Sequence, residues 1–306
     1  MFSKTFRFLL VLATALVAYR GTAQFTNYSG SYTDIARRSG INFHLGSTTF
    51  LGDLGGNQGA GKPYLKDFNG KTVRPLIGAS YTYFPASWFS IKAGLNQTWV
   101  TGADSLITNR YGHAAGRYAR NLSFKSPITE LSTELEWYPM QLLPDFEEAS
   151  FRPFISAGIG VFHFNPKAQL NGQWINLHQL HLEGQGFSEY PDRKMYKLTQ
   201  IYIPFSLGVK YKVNDDYFLS LSTIFRKTFT DYIDDVSTTY INPSLFDKYL
   251  SPDDAILAKQ LYYRGKSSSH NPGPFRGYNN LDSYTSIVFT FTYMFKRSEN
   301  IFYHRP

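Results

Sequence analysis

The stretch QIYIPFSLGVKY, Gln200 to Tyr211, decides how this chain is read. Ile201, Ile203, Phe205, Leu207, Val209 and Tyr211 fall on one face, and Gln200, Tyr202, Ser206, Gly208 and Lys210 on the other. A period of two makes a strand with one apolar and one polar side. Seven more stretches alternate in the same way, placing eight strands at about 41–50, 74–84, 88–100, 122–138, 153–164, 198–212, 217–230 and 284–296. Pro204 interrupts the pattern, because a closed sheet has no edge on which a missing amide is harmless. A bulge is therefore expected there.

The connections between these strands are alternately short and long, and the start of the chain reads as an export signal. Lys4 and Arg7 precede an apolar run from Phe8 to Ala18, and Gly21, Thr22 and Ala23 supply small residues for cleavage. The run is shorter than the roughly 20 residues a spanning helix needs. Residues 1–23 are thus expected to be a signal peptide, leaving residues 24–306 as one domain. Its removal takes away three positive charges, Lys4, Arg7 and Arg20, and lowers the formal net charge from +8 to +5. Such a mildly basic chain gives no reason to expect a nucleic-acid partner. The absence of cysteine excludes disulfides, thiolate metal sites and thiol catalysis.

Strands are the remaining way to satisfy every backbone polar group in lipid, once no long apolar helix is found. The expected fold is all-β: an eight-stranded antiparallel transmembrane β-barrel, with long extracellular loops, short periplasmic turns and both termini in the periplasm. A soluble sandwich would explain the alternation, but not strands well beyond the usual five or six residues or strictly alternating connections. The 23 Tyr and 26 Phe suit aromatic girdles at the two interfaces. Eight strands enclose a space that side chains can fill. Glu130, Glu134, Glu136, Lys92, Lys210 and Arg226 lie on polar faces and are expected to form a luminal charge network, a filling and not a pore.

Catalytic chemistry is weakly signalled. Glu134 and Glu136 could serve as acid and base, but basic neighbours in a narrow barrel make them structural. His178, His181 and Glu183 have a spacing a metal could use, without a convincing further ligand. Asp231, Asp234 and Asp235 offer oxygen ligands for calcium but lack the spacing of a calcium loop, and read as solvated residues at a strand end. His163 has no serine two residues on and reads as an interface residue. No catalytic residue, metal or cofactor is expected. Ser251, Pro252 and Asp253 resemble a helix start, with a short helix over Ala255 to Tyr262. Arg110, Arg117 and Arg120 make one outer loop basic, which suits surface binding or contact with lipopolysaccharide.

FLGDLGG at 50–56, RNLSFKSPITELSTELEW at 120–137, AGIGVFHFNPK at 157–167, LEGQG at 182–186 and RKTFTDYIDDVS at 226–237 are together similar to the PorG family of outer-membrane barrels. The resemblance spans most of the chain after residue 23. It implies a non-enzymatic component of the type IX secretion system, associated with a periplasmic ring of PorK and PorN and linked through that system to secretion and gliding. On this reading the periplasmic surfaces are the places for a partner. Phe146, Glu147 and Glu148 form an acidic turn with an apolar centre, and Arg297, Phe302 and Tyr303 a basic, aromatic tail. An adhesion or ligand-binding barrel acting through its outer loops, and a lipid-modifying barrel enzyme, are the alternatives.

Overall fold

The computed structural model describes residues 35–54, 70–107, 113–143, 146, 149–265, 275–277 and 280–295. The proposed signal peptide and the tail with Arg297, Phe302 and Tyr303 lie outside them, as do Glu147 and Glu148. Ten strands form one sheet: β1 (Ser39–Leu51), β2 (Arg74–Ala86), β3 (Phe89–Ala103), β4 (Ser123–Trp137), β5 (Phe151–Phe164), β6 (Lys167–Leu170), β7 (Gln173–Asn176), β8 (Thr199–Lys212), β9 (Tyr217–Thr228) and β10 (Ser283–Met294). Eight of them follow one another in the order β3-β2-β1-β10-β9-β8-β5-β4, and β3 then pairs with β4 from Phe89↔Trp137 to Ala103↔Ser123. That last pairing closes the ring. The molecule is a closed, antiparallel, eight-stranded β-barrel, with β6 and β7 as a hairpin extending from β4 above the wall.

The pleat sends odd-numbered residues outward on all eight barrel strands. Phe43, Leu45, Ile77, Leu95, Leu131, Leu135, Ile159, Ile201, Phe205, Leu207, Leu221, Ile287 and Phe289 are exposed there. A water-soluble sheet would bury such a surface. Even-numbered residues point inward, and the lumen is packed in layers. At the short-turn end Phe84, Tyr138, Phe154, Phe218, Met294 and Ile35 close it. At the other end a second apolar layer includes Phe50, Val100, Phe124, Phe162, Phe164 and Tyr202.

Proline accounts for two local departures. No bulge forms at Pro204: the β8–β9 register runs through Pro204↔Arg226 without a shift, and the β5–β8 register is the same on both sides of that level. The missing amide instead faces β5, where pairing lapses between Ala157↔Phe205 and Gly160↔Tyr202. Gly158 lies in that lapse, and a Cβ there would stand 2.1 Å from the Thr133 carbonyl oxygen. The barrel thus absorbs the missing bond next to a residue without a side chain. The register shift appears in β2, between Tyr83 and Ala86, around Pro85.

Two of the long connections fold into a cap. The β5–β8 connection carries the β6–β7 hairpin and a 3-10 turn at His178–Leu180. The β9–β10 connection carries α2 (Ser244–Tyr249) and α3 (Pro252–Leu261), and α1 (His113–Arg120) lies between β3 and β4. Ser251 caps α3 by accepting from the Asp254 amide, with Pro252 in the first turn. Leu177, Leu180, Leu182, Phe187, Ile241, Phe246, Leu261 and Tyr262 form the cap's own apolar core. The turn that enters it needs glycine, because Gly184 and Gly186 adopt φ of +74° and +81°.

Candidate functional site: a filled lumen beneath a folded cap

All six of the charged residues assigned to the lumen lie inside it and pair. Alternation puts Glu130, Glu134 and Glu136 on one face of β4, and the neighbouring strands bring the cations to them. Arg226 of β9 lies 2.6 Å from Glu130, which also accepts from the Tyr284 hydroxyl at 2.5 Å. Lys92 of β3 reaches Glu136 at 2.9 Å and Glu134 at 3.4 Å, and Lys210 of β8 reaches Glu136 at 3.1 Å. The Tyr138 hydroxyl donates to Glu136 and the Ser156 hydroxyl to Glu134, at 2.7 and 2.9 Å. Three carboxylates thus meet three cations inside the barrel. An unpaired charge there would be very costly, and pairing offsets part of that desolvation cost. His44 bridges Ser80 and Thr290, filling the same layer.

The cap handles its acids differently. Glu183 is buried and accepts from the backbone amides of Ser237 and Thr238, from the Thr238 hydroxyl and from Arg276. Every lone pair is thereby directed at protein. His178 donates to the Tyr196 carbonyl and His181 to the Gln185 carbonyl, so these three residues are not brought together around an ion. Asp231, Asp234 and Asp235 are buried, contrary to the solvated strand end expected from the sequence. The loop folds back under the cap and uses them as receptors: Asp234 accepts from the Leu54 and Val236 amides, and Asp231 from the Ser237 hydroxyl. Arg117 and Arg120 are buried too, so they are not a basic outer surface; Arg120 pairs with Asp104 at 2.7 Å. Sequence reading missed this inward turn because it depends on distant contacts, as between Asp282 and the Ile233 amide, 49 positions apart, or Leu54 and Asp234, 180 apart.

Asp53, Asp231, Asp234 and Asp282 lie close together beneath the cap. Burial pushes the Asp231 carboxyl up to about 9, and burial with neighbouring carboxylates raises Asp234 and Asp282 well above their ordinary range. Among the described residues no three His, Asp or Glu side chains are grouped to hold a metal ion.

On the short-turn side, the connection between β4 and β5 exposes Leu142, Leu143 and Phe146. His163 faces outward and bonds Thr199 across the β5–β8 pair.

The fold defines a closed eight-stranded barrel of the outer-membrane type, with apolar layers at both ends of the lumen and ion pairs between them. The chain belongs to the DUF6089 family, a domain of unknown function, whose model matches residues 32–246. No curated protein matches it in sequence. Among solved structures, the outer membrane protein OprG of Pseudomonas aeruginosa is similar at 11% identity and a TM-score of 0.39, covering 88% of this chain and all of that one. Ail, the attachment invasion locus protein of Yersinia pestis, gives 7% and 0.37 over 85% of this chain and 99% of that one. The outer membrane protein AlkL gives 10% and 0.35 over 90% and 98%. These are loose superpositions, and the barrel assignment rests on the strand pairings.

Proposed function

We propose that this protein is a non-enzymatic barrel of a Gram-negative outer membrane that serves as a fixed component of the type IX secretion machinery. The observation that carries the membrane part is the outer wall. On the eight barrel strands, the outward positions hold only two lysines, Lys125 and Lys227, both near the long-loop ends, and no carboxylate. An uncharged, aliphatic and aromatic band of this kind matches lipid. The filled lumen favours an anchor over a conduit, and the PorG-like motifs supply the secretion role. Leu142, Leu143 and Phe146 offer an apolar centre for docking the PorK and PorN ring on the periplasmic side.

The experiment is affinity purification of the tagged chain from membranes, with identification of the proteins that accompany it. Ring proteins should co-purify, and a variant with Leu142, Leu143 and Phe146 changed to Ser should insert normally but recover far less of them. Unchanged recovery moves attention to the outer side, where the folded cap supports the second reading, a barrel that binds a ligand or surface through its loops.

A further inference from the structure

Lys125 and Lys167 face each other directly across the β4–β6 bridge. Like charges opposite each other on antiparallel strands repel. Five lysines, Lys92, Lys210, Lys212, Lys248 and Lys259, do meet carboxylates. No carboxylate among the described residues pairs with Lys125, Lys167 or Lys197. Lys125 is nevertheless held in place, its Nζ lying 5.3 Å from the ring centre of Trp99 and 5.4 Å from that of Trp174. Trp174, on the β6–β7 hairpin, is itself exposed. Tryptophan and lysine together at this level mark the boundary between lipid and water.

Beside this pair, on the wall formed by β5 and β8, runs a groove of about 360 Å³ lined by Val161, Ile201, Thr199, Gln200 and Lys197. Val161 and Ile201 are its apolar lining and Lys197 its basic residue. We propose that Lys125, Lys167 and Lys197 form a site for the phosphate of an outer-leaflet lipid, with an acyl chain lying along Val161 and Ile201. This inference rests on the membrane reading above. An anion between the two facing lysines removes their repulsion, and a lipid accounts for the adjoining apolar groove, which a free phosphate leaves empty. The buried Arg117 and Arg120 take no part.

The full chain is reconstituted into phosphatidylcholine vesicles doped with diphosphorylated lipid A, or with the same lipid stripped of its phosphates. It is then re-extracted, and retained lipid is counted by native mass spectrometry. The wild type should retain the phosphorylated lipid and not the stripped one, and excess inorganic phosphate should not displace it. Lys125→Gln with Lys167→Gln should lower retention roughly thirtyfold, the change expected from two lysines at an anionic surface. Equal retention of the two lipids, displacement by inorganic phosphate, or undiminished retention by an inserted double variant each overturns the site. If the double variant does not insert, the comparison of the two lipids on the wild type still decides. A wild-type chain that enters no vesicle overturns the membrane reading itself, an outcome distinct from an inserted barrel without lipid preference.

Discussion

The lumen and the cap both bury clusters of carboxylates, yet they neutralise them by opposite means. In the lumen Glu130 pairs with Arg226, while Glu134 and Glu136 share Lys92 and Glu136 also takes Lys210. Beneath the cap Asp231, Asp234 and Asp282 accept hydrogen bonds from a hydroxyl and backbone amides, and their carboxyls are raised. The difference is one of strand geometry. Alternation on β3, β4, β8 and β9 presents opposite charges on the inner face of one ring, whereas the cap's aspartates arrive from two separate connections, β1–β2 and β9–β10. Their partners are largely backbone amides, as with Leu54, Ile233 and Val236. Amides orient a carboxylate without cancelling its charge against its neighbours.

The largest expected effect follows from pH. A carboxyl whose folded value is raised holds a proton that the unfolded chain gives up, so its contribution to stability falls as pH rises above the unfolded value near 4. For Asp231 the fall continues until about 9. Each retained proton should cost the cap about 1.4 kcal/mol per pH unit within that window. Protease resistance of the loops, measured from acid to alkaline pH, should decline accordingly, and Asp231→Asn should flatten the decline. The lumen should show no comparable loss, since its charges are paired. A flat profile in the wild type removes the contrast.

Next in size is Arg226→Ala, which leaves Glu130 buried beside Tyr284 without its cation and should cost about 3 to 5 kcal/mol. Heat unfolding in detergent measures this, and Glu130→Gln in the same chain should recover much of it. A comparable loss from Phe205→Arg, about 2 to 4 kcal/mol if Phe205 meets the middle of the bilayer, tests the outer wall. An unaltered insertion equilibrium for that variant is incompatible with a lipid-facing Phe205. Gly184→Ala should cost the least, about 1 to 2 kcal/mol, because φ is +74° there and the new methyl would stand 2.8 Å from the Tyr190 ring. Hydrogen exchange should locate that loss in the cap and leave the barrel strands protected.

What the chain declared on its own was whatever repeats at a period of two. Each strand placed near 41–50, 74–84, 88–100, 122–138, 153–164, 198–212, 217–230 or 284–296 exists, with ends shifted by three residues at most. The inward direction of Glu130, Lys92, Lys210 and Arg226 followed from the same alternation, because side-chain direction in a strand is a local property. Turn residues were legible where one residue type alone suffices, as with Ser251 and Pro252 at the start of α3.

Tertiary structure decided the rest. Pro204 forms no bulge, because the β5–β8 pairing lapses at its level while the register holds on both sides; hydrogen-bond supply is settled between strands, and no single strand reports it. Whether Asp231, Asp234, Asp235, Arg117 and Arg120 faced water depended on the loops closing over them, and the loops close because Phe187, Phe246, Leu261 and Tyr262 find one another across two long connections. Hydrophobic contacts of that kind carry no local period. Alternation along a strand is dictated by each residue's own backbone, while burial in a cap is dictated by whatever the rest of the chain brings to it.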